Sequence, residues 1–292
     1  MRRNNHFACA LAGCLGWAAL TFRVFAQQQP APLKIEPLRD GAYVIKGGSG
    51  ANVGLIVGRR EAIVIDAKMT EESARAMLAE IGKVTPHPVR RVILTHSDGD
   101  HVNGLAGFPQ GLSIVAHANT RKDMEEAFKD PKFAALKSWL PNQLVTDEQQ
   151  LHIEGVPIRL LHFGPAHTQG DLVVYLPEQR IAYVGDLLFI GRDPLIHRHK
   201  NGNSFGLVAT LKKLLELDAD TFVSGHADPV GKDQIRELVA SLEEKQRKIK
   251  ALVAEGKSLD EIKAAFGVAP APGPARRPGL IEVIYLELTE KR

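Results

Sequence analysis

From residue 35 onward the apolar side chains come in short β-branched runs closed at both ends by Gly-rich or charged turns, as in "GAYVIKGG", "NVGLIVG" and "EAIVIDA". That pattern predicts three strands in an antiparallel meander. The spacing then changes: "TEESARAMLAEIGK" carries apolar residues at helical intervals behind a capping Thr70 and predicts a helix. "VRRVIL" and residues 113–116 predict two buried strands, followed by a helix over 119–129 and a loop at Trp139-Leu140-Pro141. Strands return at 151–153, 158–162, 172–176 and 181–184, with a helix over 204–217, a strand at 221–224 and a charged helix over 232–255. Two halves thus share one rhythm. The expected fold is α+β, with two mixed sheets face to face and helices outside, a four-layer sandwich. The tail holds a short capped helix, "SLDEIKAAFG", a Pro-rich linker, "VAPAPGPARRPG", and an apolar element, "LIEVIYLEL", that periodicity leaves as helix or strand. Residues 251–292 are read as a helical surface extension and residues 27–250 as the main domain.

The first 26 residues have another character. Arg2 and Arg3 precede an apolar run from Phe7 to Leu20, and Val24-Phe25-Ala26 forms an A-x-A-like end before a Gln-Pro-rich stretch. This predicts a signal peptide cleaved after Ala26, hence a periplasmic or secreted protein with no stable membrane anchor. "LAGC" ending at Cys14 offers a lipoprotein alternative. Removing residues 1–26 takes out three arginines and no acid, so the formal charge falls from +3 to zero. A neutral chain has no electrostatic footprint for nucleic acid. Both cysteines, Cys9 and Cys14, lie in the same segment, so any metal site in the remainder must use nitrogen and oxygen donors.

Chemistry concentrates in "VILTHSDGDHVNG", where His96, Asp98, Asp100 and His101 stand within six positions behind a strand. Alternate side chains of an extended segment share a face, and a turn through Gly99 lets the second pair address a neighbouring point. Imidazole and carboxylate at such intervals suit zinc or another first-row divalent ion. A polar turn whose aspartates cap the next helix is the plainer alternative. Three further signals sit at strand ends: His167 in "FGPAHTQGD", Asp186 in "IAYVGD" and His226 in "TFVSGH". Polar residues gathered at strand ends are how α/β layouts assemble sites.

In this order the motifs resemble the metallo-β-lactamase superfamily over Gly41 to about Arg247, with one departure: Asp98 stands where the commonest pattern has histidine. The resemblance implies a groove holding two divalent ions, zinc foremost, with iron or manganese as alternatives that the extra carboxylate favours. By position, His96, Asp98 and His167 would hold the first ion, Asp100, His101 and His226 the second, and Asp186 would bridge them. Asp100 would orient the attacking water and carry its proton, while Asp66, ending "AIVID", would support the site without touching metal. In "GRDPLIHRHKNGNS", His197, His199, Lys200 and Asn203 are candidate contacts for an anionic substrate, or simply a solvated basic loop. As a carboxylate, Asp98 is expected to leave the first ion's water less acidified than a histidine ligand would. The implied function is an exported metal-dependent hydrolase of a small ester, lactone, thioester or amide. A β-lactamase is one alternative, and an iron-dependent redox enzyme is an alternative of another class. Oligomeric state is left open.

Overall fold

The computed structural model describes residues 31–153, 155–268 and 277–290. The expected signal peptide, Cys14 and most of the Pro-rich linker lie outside the described residues. Strands β1 (Lys34–Arg39), β2 (Ala42–Lys46), β3 (Val53–Val57), β4 (Ala62–Ile65), β5 (Val89–Ile93), β6 (Ser113–His117) and β7 (Gln143–Val145) form one sheet in that order. It is antiparallel from β1 to β4 and parallel from β4 to β7. Strands β8 (Glu148–Ile153), β9 (Val156–Leu161), β10 (Val173–Leu176), β11 (Ile181–Gly185) and β12 (Thr221–Ser224) form the second, in the order β12-β11-β10-β9-β8. Only β11 and β12 run parallel there. Parallel neighbours need crossovers. Helix α1 (Glu71–Val84) supplies the one between β4 and β5, α3 (Ala118–Ala127) the one between β6 and β7, and α4 (Ser204–Glu216) the one between β11 and β12.

The layers follow from the alternation of side chains between the two faces of each sheet, both of which are covered. Ile63, Ile65, Ile93 and Val115 of the first sheet meet Val174, Leu176, Ile181 and Tyr183 of the second in the core between the sheets. Their alternates Val64, Val92 and Leu94 face outward, under Met77 and Ile81 of α1 and Met124 of α3. Val173, Ala182 and Val184 pack outward beneath Leu207 and Leu211 of α4 and Ile235 and Leu242 of α5 (Lys232–Ala254). The expected four-layer α+β sandwich is therefore the observed one.

Two expectations change. The final apolar element is a helix, α7 (Leu280–Thr289), following a short α6 (Leu259–Ala265). It is no surface appendage: Leu280, Ile281, Val283 and Ile284 are buried in the outer core with α4 and α5. Strand β8 starts at Glu148, three residues before the apolar signal at Leu151, because its outer positions are exposed and polar and leave no alternation to read. No helix of the described residues is long and apolar enough to cross a membrane.

The turn after β5 is pinned by close backbone contact. Short helix α2 (Gly99–Val102) leads to Gly104, whose N–H donates to the Lys68 carbonyl at 2.9 Å. A Cβ at Gly104 would lie 1.9 Å from the Ala67 carbonyl oxygen. Gly104→Ala should therefore cost about 1–3 kcal/mol of stability. Gly82→Ala, on the exposed face of α1 where a Cβ meets nothing within 4 Å, should leave stability unchanged or raise it. Denaturant unfolding of both variants checks this; equal effects would show that the turn is free to shift.

Candidate metal centre

The parallel strands β4 and β5 end side by side, and their ends define the site. Asp66, just past β4, is buried and adopts a left-handed backbone with φ 69°. Its Oδ1 accepts the Thr95 N–H at 2.8 Å, and its Oδ2 accepts the Thr95 hydroxyl and His101 Nδ1, each at 2.8 Å. With its proton spent on Asp66, the Thr95 hydroxyl accepts from His96 Nδ1 at 3.0 Å. His167 is oriented in the same manner, its Nδ1 donating to the Leu195 carbonyl at 2.7 Å. Three imidazoles thus turn their Nε2 atoms inward. A ring nitrogen held on one side by a fixed acceptor leaves the other as a lone-pair donor, the usual posture of a metal-ligating histidine.

The seven residues expected as ligands are brought together. His96, Asp98 and His167 offer donor atoms within 4.8 Å of one another, as do His96, His101 and Asp186, and Asp100, His101 and His226. Asp186, at the end of β11, lies between the groups, with Oδ1 3.2 Å from His101 Nε2 and Oδ2 3.2 Å from His226 Nε2. His226, two residues past β12, has Nε2 3.1 Å from Asp100 Oδ2. The side chains of His226 and Asp100 remain 31% and 22% exposed, so the site opens to solvent on their side. Phe189 walls it, its ring 5.9 Å from that of His167 and 6.3 Å from that of His226.

The donor set fits divalent ions. His96 Nε2, His101 Nε2 and Asp186 Oδ1 are buried without a hydrogen-bond partner, a costly arrangement unless something else satisfies them. Gly225 keeps the space open: a Cβ there would lie 2.3 Å from Asp186 Oδ1 and 2.8 Å from His101 Cε1. Burial, reinforced by His101, drives His96 far below its ordinary value, so it is neutral. Burial pushes the Asp98 carboxyl up, but hydrogen bonds from His167 and His197 outweigh it and hold the group ionised. His226 moves the other way, raised to about 9 by its hydrogen bonds to Asp100 and Asp186.

The loop after Asp186 is used differently from the expectation. His197 is buried, with Nε2 2.6 Å from Asp98 Oδ2, and Lys200 Nζ donates to Asp98 Oδ1 at 2.7 Å. Asn203 caps α4 by accepting from the Gly206 N–H. Three of the four candidate substrate contacts are thereby engaged within the protein, and of the four only His199 is exposed. Several supporting residues escaped the sequence reading. Thr95 is one, since a threonine ending a strand carries no signal. The Thr168–Asp171 turn is another, its N–H and hydroxyl bonding the carboxylate at 2.9 and 2.6 Å to shape the segment after His167; here the local "HTQGD" spacing was a usable clue. Lys68, wholly buried, donates to the Gly47 and Ala51 carbonyls at 2.6 and 2.8 Å and ties down the loop whose Ala51 N–H reaches the Asp100 carbonyl.

This fold and donor set define a class, and sequence comparison agrees. The family described as "Metallo-beta-lactamase superfamily" matches residues 47–226, and the chain belongs to that family. It is 28% identical over 193 residues to the 2,4-dinitroanisole O-demethylase subunit alpha of Nocardioides sp., covering 65% of this chain and 56% of that protein. It is 22% identical over 221 residues to a linear primary-alkylsulfatase of Pseudomonas sp., covering 61% of this chain and 42% of that one. The chain thus spans about half the length of the curated relatives it matches. Among solved structures, a metallo-beta-lactamase from Pontibacter korlensis superposes with a TM-score of 0.63 at 18% identity, covering 73% of this chain and 99% of that one.

A raised pKa means that His226 holds a proton up to about pH 9 in the metal-free protein, and an incoming ion must displace it. Apparent affinity at the second position should therefore rise with pH below about 9, by about tenfold per unit for each proton displaced. Metal titrations between acid and alkaline pH with a proton-release indicator test this. Affinity independent of pH, without proton release, contradicts it.

Proposed function

We propose that this chain is an exported, metal-dependent hydrolase of a small ester-type substrate, an ester, lactone, thioester or amide, with water as the nucleophile. The observation that carries the reading is the convergence of buried, unpartnered donors His96 Nε2, His101 Nε2 and Asp186 Oδ1 on one open groove. No cysteine lies among the described residues. The nearby serines are occupied: Ser224 Oγ donates to the Leu188 carbonyl at 2.8 Å, and Ser97 Oγ accepts from Lys200 at 3.0 Å.

Two divalent ions held here, zinc being the first choice for such nitrogen and oxygen donors, would acidify a water and polarise the attacked oxygen. The protein supplies the rest. Burial pushes the Asp100 carboxyl up, yet the hydrogen bond from His226 to its Oδ2 and the charge on His101 hold it below the ordinary value, so the group is ionised and can act as a proton acceptor. Standing at the solvent-facing side, it takes the proton of the water and returns it to the departing group. Phe189 gives the groove an apolar wall beside His167 and His226. Export rests on residues 1–26, and a mature chain beginning at Gln27 would match it.

Wild type reconstituted with zinc, iron or manganese should hydrolyse at least one member of a panel of aryl esters, lactones, acyl thioesters and β-lactams. Asp186→Ala should lose bound metal and lower kcat/KM by roughly two orders of magnitude or more. Undiminished turnover in Asp186→Ala, or after chelation, overturns the proposal. Turnover confined to β-lactams would favour the β-lactamase alternative, and iron-dependent oxygen consumption without hydrolysis the redox one.

A further inference from the structure

Asp98 is the one expected ligand that departs from the common histidine, and it is also gripped from outside the groove. Lys200 Nζ lies 2.7 Å from its Oδ1 and also donates to the Ser97 carbonyl at 3.2 Å. With 17% of its side chain exposed, Lys200 is well shielded from water, so its charge acts on Asp98 with little screening. His197 Nε2 contacts the other oxygen, Oδ2, at 2.6 Å. That distance is a hydrogen bond. His167 Nε2 makes a longer contact of 3.4 Å to the same oxygen, and His96 Nε2 lies 3.9 Å from it; His96, Asp98 and His167 thus keep donor atoms close enough to share one ion.

We propose that Lys200 is a positioning and charge-compensating residue paired with Asp98, so that the two together present a neutral ligand where a histidine would otherwise stand. One carboxylate oxygen is taken by the ammonium, and the other, Oδ2, steadied by His197, faces His96 and His167. The cation cancels the extra negative charge, so the expectation that Asp98 weakens acidification of the first ion's water is withdrawn. The pair is held from behind. The loop carrying it is zipped to the His167 segment through His197 N–H to the His167 carbonyl at 2.9 Å and Asn203 N–H to the Ala166 carbonyl at 2.8 Å. Helix α7 then holds that loop: Arg198 Nη2 donates to Glu290 at 2.7 Å, and Ser204 donates through its N–H and hydroxyl to Glu287. Burial of α7 thus reaches the metal site through the loop from residue 197 to 204.

The inference rests on the metal-site reading, and a double-mutant cycle separates the two. Co²⁺ affinity and absorption, together with thermal stability, are measured for wild type, Asp98→Asn, Lys200→Met and the double variant. Asp98→Asn leaves an unopposed cation beside the site and should weaken binding of the first ion at least about tenfold. Adding Lys200→Met should recover most of that affinity and restore the wild-type absorption intensity. Additive losses on combining the two substitutions would show that Lys200 only braces the loop, and would overturn the pairing. A wild type that binds no Co²⁺ would overturn the pairing and the metal-site reading together.

Discussion

The site depends on the Asp66 carboxylate. It is buried at the end of β4, in a left-handed backbone that aspartate tolerates better than most residues, at a strain cost of roughly 1 kcal/mol. One oxygen fixes the backbone at Thr95; the other accepts both the Thr95 hydroxyl and His101 Nδ1. Through that hydroxyl it also sets His96. Two imidazoles on the neighbouring strand end are therefore aimed by one acid that never faces the groove. Without it each ring could turn, and an unpaired Nε2 in the interior would have no reason to remain so.

Around this anchor the electrostatics belong to a protein awaiting positive charge. Asp98, Asp100 and Asp186 all lie below their ordinary range despite burial that opposes ionisation. The neighbouring imidazoles answer that negative charge. Asp186 and Asp66 raise His101 against its own burial, and Asp100 raises His226. The same carboxylates that hold those protons would hold a divalent ion more strongly, because two charges replace one. Lys200 compensates Asp98 alone and leaves the rest of the cluster negative.

Much of this was legible in the sequence because it is local. Short β-branched runs between turn residues mark the strands buried on both faces, and four titratable residues crowded behind "VILTH" mark the strand end that builds the site. What escaped depends on distance along the chain. Lys200 and Asp98 stand 102 positions apart, and His197 and Asp98 99, so nothing in either segment announces the contact. "HRHKNG" consequently looked like a solvated or substrate-facing basic loop. The last helix was ambiguous for another reason. "LIEVIYLEL" is apolar at enough positions to suit either period, and packing against α4 and α5 decides in favour of the helix.

The proposed chemistry requires that one groove, its imidazoles aimed by Asp66, hold two divalent ions. Anomalous diffraction from crystals soaked in Zn²⁺ tests it most directly. Two peaks are expected, one among His96, Asp98 and His167 and one among Asp100, His101 and His226, with Asp186 between them and the Asp66 hydrogen bonds unchanged. A single peak, or peaks reached only after His96 and His101 turn away from Thr95 and Asp66, would show that Asp66 does not set a two-ion site.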